Sequence, residues 1–248
     1  MKKKSPLSEK TQAIIYGGLL GDGSLAVSRG YKNARYQFRH SIKQKEYFLW
    51  KAGELKEICG SKCIWRQGTE VQKDGWGSIK LRFGSKALPE LTDITLVVGK
   101  GNQKTIRRRW LNRLTPLSLL VWWCDDGSLV SNTKHGVFCT DNFSEKEVNI
   151  LKQYLNTVWK IKTSKFKVSG REHYRLAVRS RKDLKKFLRI ILPYLRVESM
   201  LYKFLLLYRD PNLQQRWISE MAKLSIFSEE TIKKTVSQRK ETLKHFRK

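Results

Sequence analysis

The sequence predicts an α+β protein made of two pseudo-symmetric copies of one αββαββα-like unit, and three observations predict it. Asp22-Gly23-Ser24-Leu25 recurs 104 residues later as Asp126-Gly127-Ser128-Leu129. A nearly all-apolar helix runs up to each copy. Downstream of each, strand, helix, strand, strand and helix follow in the same order. The expected division is a first repeat over 1–110, a second over 111–210 and a basic helical extension over 211–248.

In the first repeat a helix over Thr11 to Gly21 has Ser8 as its N-cap, a hydroxyl that satisfies an orphan N–H. Gly23 stands where a left-handed helix cap favours glycine. Gly17 and Gly21, four residues apart, would let a second helix approach closely. Arg35 to Ile42 alternates polar and apolar residues, the pattern of a strand with one packed face. A helix over Lys45 to Ile58, strands near 62–71 and 76–83, and a helix from Lys86 to Val97 complete the unit.

In the second repeat Thr115 caps a helix opened by Pro116, which loses nothing there because a first-turn N–H lacks a partner. That helix runs to Cys124, and Gly127 matches Gly23. A strand over 136–140 precedes a Ser144-to-Glu147 capping signal and a helix to about Trp159. Strands over 161–168 and 173–179 follow, then a helix from Lys182 to Ile191 stopped by Pro193, and a last helix from Glu198.

Charge narrows the partner. The chain has 51 Lys+Arg against 22 Asp+Glu, a net charge of +29 that repels itself on compaction unless a polyanion neutralises it. Nucleic acid leads, because a membrane-surface protein concentrates its charge on one amphipathic helix and here it is spread throughout. A hydrophobic content of 40% with eight Trp excludes a disordered basic tail. The longest apolar runs, such as Phe204 to Tyr208, fall short of the ~18 residues of a membrane span. The opening Met1-Lys2-Lys3-Lys4-Ser5-Pro6 is a basic arm without the apolar segment of a secretory signal. Cys59, Cys63, Cys124 and Cys139 read as reduced, packed thiols of an intracellular protein. Cys59 and Cys63 would be half a zinc site with no second half.

The acids narrow the chemistry. Asp22 and Asp126 each end an apolar helix, where the dipole disfavours an anion by roughly 0.3–1 kcal/mol. If the two helices pair about a pseudo-two-fold axis, the carboxylates converge and repel, and a divalent cation removes both objections. Either Asp-Gly alone would be an ordinary helix end; two in register, in a protein this basic, point to a metal held beside phosphate and to phosphodiester hydrolysis. Gly21 and Asp125, which precede the two aspartates, are counted as metal neighbours, Asp125 through its carbonyl or a solvated side chain. Lys104 and Lys203 close their repeats in similar places and could polarise the water or the phosphate. The polar strand faces would grip DNA: Arg35, Gln37, Arg39, Lys80 and Arg82 in the first half, Lys165, Lys167, His173, Arg175 and Arg179 in the second.

Tyr16-Gly17-Gly18-Leu19-Leu20-Gly21-Asp22-Gly23, with Leu114 to Leu119 continuing to Trp123-Cys124-Asp125-Asp126-Gly127, resembles the two motifs of single-chain LAGLIDADG homing endonucleases. Lys104-Thr105-Ile106, Phe143 to Val148 and Met200-Leu201-Tyr202-Lys203 extend the similarity over about residues 8–208. The resemblance implies a saddle of two antiparallel sheets around a central two-helix interface. It implies Mg²⁺ at Asp22 and Asp126, with Mn²⁺ as a substitute, and Lys104 and Lys203 near the scissile phosphates. It also implies a monomer acting as a pseudo-dimer, cleavage of double-stranded DNA to leave short 3′ overhangs, and an intron-encoded, organellar origin. Bulky Val121 and Trp122 stand where small residues would pack closest. Two alternatives share the scaffold: a maturase that binds intron RNA, and a DNA-binding regulator that does not cut.

Overall fold

A computed structural model describes residues 7–68, 79–100, 103–130 and 133–243. Two compact units divide the chain, Met1–Asp125 and Asp126–Lys248. The first contains α1 (Glu9–Leu20), β1 (Ser24–Ala26), β2 (Arg35–Ser41), α2 (Lys45–Glu54), β3 (Ile64–Gln67), β4 (Lys80–Gly84) and α3 (Pro89–Val98). A small hairpin of β5 (Gly99–Lys100) and β6 (Gln103–Lys104) leads to α4 (Arg108–Leu111) and α5 (Pro116–Asp126). The second contains β7 (Gly127–Val130), β8 (His135–Phe138), α6 (Glu145–Thr157), β9 (Ser164–Lys167), β10 (Tyr174–Val178), α7 (Arg181–Ile191), α8 (Pro211–Leu224) and α9 (Glu229–Thr242).

The repeat holds strand for strand. Each unit has one four-stranded antiparallel sheet, ordered β1-β2-β4-β3 in the first and β7-β8-β10-β9 in the second. Period-two alternation puts Tyr36, Phe38 and His40 on the helix side of β2, and Phe38 stacks on Phe83 at 4.9 Å and meets Phe48 of α2 at 5.3 Å. In the second sheet Phe138 meets Phe187 of α7 at 5.3 Å. β1 and β7 are too short to leave a period in the sequence, and only their pairing defines them.

Ser8 accepts from the Thr11 N–H and caps α1, while Thr115 and Ser118 cap each other's N–H groups at the start of α5. Inside the first unit α1 and α5 touch backbone to backbone. A Cβ at Gly17 would lie 2.2 Å from the Ser118 carbonyl oxygen, so glycine is required. This contact carries the first unit through Asp125, past the expected boundary at 110.

Several expectations are corrected. Neither Gly23 nor Gly127 is left-handed. Gly23 is needed because a Cβ there would meet the Tyr36 hydroxyl at 2.6 Å. The segment expected as a helix from Glu198 is a 3-10 turn, Glu198–Lys203. Cys59 and Cys63, expected as thiols, form a disulfide, their Cα atoms being 5.5 Å apart and within bridging range. The start of the strand expected near 76–83, and the end of that near 62–71, lie in 69–78, outside the described residues, while β4 covers most of the rest of the former. The 211–248 extension is helical through its described part and belongs to the second unit's core. Trp217 is fully buried and its indole N–H donates to the Phe204 carbonyl at 3.1 Å, while Gln214 holds Leu206 and Tyr208. Among the described residues no helix is long and apolar enough to cross a membrane.

Candidate active site

Asp22 follows the glycine that ends α1, and its side chain is 41% exposed. Asp125, at the end of α5, was expected to offer its carbonyl or a solvated side chain; the side chain is fully buried. Asp125 Oδ1 accepts from the Tyr47 hydroxyl at 2.8 Å and from Lys51 Nζ at 2.9 Å. Its Oδ2 accepts from Lys51 Nζ at 2.7 Å and from the Asp22 backbone N–H at 3.3 Å. Protein donors thus occupy both oxygens. The Lys51 ammonium, itself fully buried, lies 4.6 Å from the centre of the Phe38 ring.

His40 completes the group, with Nδ1 3.3 Å from Asp22 Oδ2 and Nε2 3.7 Å from Asp125 Oδ1. One ligand atom from each of Asp22, His40 and Asp125 lies within 4.8 Å of the others. Burial first, then the Asp125 charge, pushes the Tyr47 phenol well above its ordinary pKa; Tyr36 is raised by burial, then by Asp125 and Asp22. Sequence reasoning missed His40, Tyr47 and Lys51. The available signals were a histidine at an inward position of β2 and a lysine one turn beyond Tyr47 on α2.

Lys104 reaches the same motif. From β6 its ammonium donates to the carbonyls of Leu19 at 2.8 Å and Gly23 at 3.2 Å, placing a cation at the negative end of α1.

The uncovered face of the first sheet carries the expected basic set. Register aligns Gln37 with Gly84, Arg39 with Arg82 and Ser41 with Lys80, while β3 sets Trp65 beside Arg82. Arg39, Lys80 and Arg82 have no ion-pair partner among the described residues. Arg35 is engaged locally, donating to the Ser85 carbonyl at 2.9 Å. A concavity of about 240 Å³ on this face is lined by Asp22, Ser24, Gln37, Arg39, Trp65 and Arg82, joining the basic face to the carboxylate. Trp65, 42% exposed, is an aromatic that the sequence reading passed over.

In the second unit Asp126 is half-buried, and its carbonyl accepts from the Cys139 N–H at 3.0 Å. Arg175 grips Asp141 with two hydrogen bonds, at 2.7 and 2.5 Å. This contact holds the Asp141 carboxyl below its usual range and raises the guanidinium further. Burial, then the charges of Asp126 and Asp141, push the Cys139 thiol up against an opposing backbone hydrogen bond. Lys203 is buried in the 3-10 turn.

The second basic set is split. Lys165 sits opposite Leu176 and Lys167 opposite Tyr174, which puts both lysines on the helix side with Phe138. Lys165 pairs with Glu145, and Lys167 with Glu172 at 2.7 Å. Arg175 and Arg179 share the other face with Phe166 and Ser164, and Arg179 donates to the Ser164 hydroxyl at 3.0 Å. His173, just outside β10, is exposed. Lys165 and Lys167 lie on the opposite face from Arg175 because of the register in which β9 pairs, Lys167 remaining exposed.

Residues 12–187 match the model of the LAGLIDADG DNA endonuclease family. Among curated relatives, DNA endonuclease I-ChuI of Chlamydomonas applanata is 26% identical over 79% of this chain and 95% of its own. The cytochrome b mRNA maturase bI2 of Saccharomyces cerevisiae is 28% identical over 80% of this chain and 48% of its own. Protein RecA of Mycolicibacterium flavescens is 28% identical over 83% and 49%. The chain thus spans about half the length of the RecA and maturase relatives. The homing endonuclease I-WcaI, solved bound to its DNA recognition sequence, shares the fold with a TM-score of 0.70 at 22% identity, covering 84% of this chain and 91% of that one. The match over most of the chain, with the two motifs and the repeated sheet, places this protein in the LAGLIDADG DNA endonuclease family.

Proposed function

We propose that the chain is a site-specific DNA endonuclease that hydrolyses phosphodiester bonds in both strands of a long, asymmetric target, using a divalent cation and promoting intron mobility. The observation that carries this reading is the continuity of the basic face of the first sheet with the exposed Asp22 carboxylate. Phosphate oxygens meeting Arg39, Lys80 and Arg82 would bring the backbone to a carboxylate poised for a metal.

The donor set fits a hard divalent cation, Mg²⁺ or Mn²⁺. In the first unit Asp22 would hold it by carboxylate and Gly21 by its carbonyl, whereas the Asp125 carboxylate already has its donors; in the second, Asp126 would supply the carboxylate. When bound, the cation would supply an activated water and charge stabilisation at phosphorus. Lys104 fixes the backbone of the Asp22 motif and sets a positive charge beside the phosphate path; Lys203 is assigned the matching task in the second unit. Base contacts from Gln37 and Arg39 would contribute selectivity. One chain supplies both halves, so it acts as a monomer on an asymmetric site.

Purified protein with Mg²⁺ is expected to linearise a plasmid carrying its insertion site, and Asp22→Asn or Asp126→Asn to stop this while DNA binding survives. Binding of that site without cleavage by the unaltered protein would favour the non-cutting regulator. Rescue of intron splicing without cleavage would favour the maturase, the activity named for one relative.

A further inference from the structure

We propose that, within the first unit, the buried pair of Lys51 and Asp125 is a clamp that positions the Asp22 carboxylate, with His40 as its second arm. The inference rests on reading Asp22 as a metal ligand. The side chains of Lys51 and Asp125 are both 0% exposed, with Nζ and Oδ2 2.7 Å apart. Such a pair adds little stability, because desolvation offsets the attraction and an apolar pair of similar volume does as well or better. The contacts supply a geometric task instead.

Asp22 is held twice. Its N–H donates to Asp125 Oδ2 at 3.3 Å, and His40 Nδ1 lies 3.3 Å from its carboxylate, with His40 Nε2 3.7 Å from Asp125 Oδ1, too long for a hydrogen bond. Lys51 and Tyr47 fix the Asp125 oxygens in turn. Gly21 admits the arrangement, since a Cβ there would lie 2.5 Å from Asp125 Cβ. A carboxylate at a helix C-terminus gains no orientation from the dipole, so neighbours must supply it. Partners of this kind change metal affinity by about 10-fold to 100-fold when removed. Lys51, Tyr47 and Asp125 are therefore positioning residues, and Lys51 lies beneath the sheet rather than on its basic face.

The test is the volume-matched apolar replacement Lys51→Met/Asp125→Leu, compared with Lys51→Met alone. The double variant is expected to melt at or above the temperature of the unaltered protein and to bind target DNA equally in EDTA. Its Mg²⁺ midpoint for cleavage should rise about 10-fold or more, and calorimetric Ca²⁺ binding to the DNA complex should weaken similarly. A folded double variant with unchanged Mg²⁺ midpoint and Ca²⁺ affinity would overturn the clamp. If it does not fold, Tyr47→Phe, which removes one donor to Asp125, and His40→Gln decide: a shifted Mg²⁺ midpoint and Ca²⁺ affinity support the clamp, and unshifted values in both overturn it. Asp22→Asn separates the two ideas. Cleavage retained by Asp22→Asn would discard the role of Asp22 itself, whereas a dead Asp22→Asn beside an unaffected double variant would discard only the clamp.

Discussion

The two units share a strand order and differ in what stands behind the aspartate. In the first, the interior beneath Asp22 is polar: His40 on β2, Tyr47 and Lys51 on α2, and Asp125. In the second, the matching register places Thr140 where His40 stands, and its hydroxyl is used on the Tyr174 carbonyl at 2.6 Å. The side chains that α6 buries are Val148, Leu151, Tyr154 and Leu155, none of them ionised at neutral pH. The outer faces differ in the opposite sense. Among the described residues Arg39 and Arg82 have no ion-pair partner, whereas Arg175 in the second sheet is bound to Asp141. Repetition therefore fixed the backbone pairing, while the placement of charge diverged, buried in one unit and paired near the surface in the other.

The comparison is broken most severely at the carboxylates. Asp22→Asn and Asp126→Asn should each lower the cleavage rate by about 10³-fold or more, read from plasmid linearisation, if both units contribute equally to chemistry despite their interiors. Next comes the buried charge. Lys51→Met leaves Asp125 uncompensated and should cost about 3–5 kcal/mol in urea unfolding, whereas Arg175→Met, at a partly exposed pair, should cost about 1 kcal/mol.

Affinity sharpens the contrast between the outer faces. Arg39→Ala or Arg82→Ala should make the log–log salt slope of DNA binding shallower by about 0.9 for each phosphate left without its cation. Lys165→Ala and Lys167→Ala, on the helix side, should leave the slope nearly unchanged; filter binding across a salt series reads both.

The pH dependence of stability is a smaller effect and belongs to the second unit. The Arg175 hydrogen bonds depress the Asp141 carboxyl, so its contribution is full above the ordinary carboxylate pKa of about 4 and is lost as pH falls through the lower folded value. Unfolding free energies measured from pH 6 to 2 should show this loss in the unaltered protein and a shallower one in Arg175→Met. At the small end, Ser144→Ala removes one partner of the α6 capping box and should cost about 1 kcal/mol.

Much of the fold was legible because it was written locally. Ser8, Thr115 and Ser144 announce helix starts through hydroxyls that reach N–H groups three residues on, and Arg35 to Ser41 announces β2 by alternation. The motif aspartates and the Lys104 segment were legible for the same reason, as short patterns at fixed places. The face of Lys165 and Lys167 was not legible, because alternation shows that two faces exist without showing which one a helix will cover. Asp125 was misjudged because its burial depends on Lys51, 74 residues away in the chain.

By itself the sequence determined the repeat, most of the order of elements, the strongly basic charge and the pair of motif carboxylates, all carried by periodicity, composition and spacing. Only the tertiary structure decided which polar residues became interior. That choice depends on strand register and on close approach at Gly17 and Gly21, where backbone or side-chain atoms leave no room for a Cβ. Burial raises the cost of an unpaired charge, so the fold must bring Lys51 to Asp125, and no local pattern records that pairing.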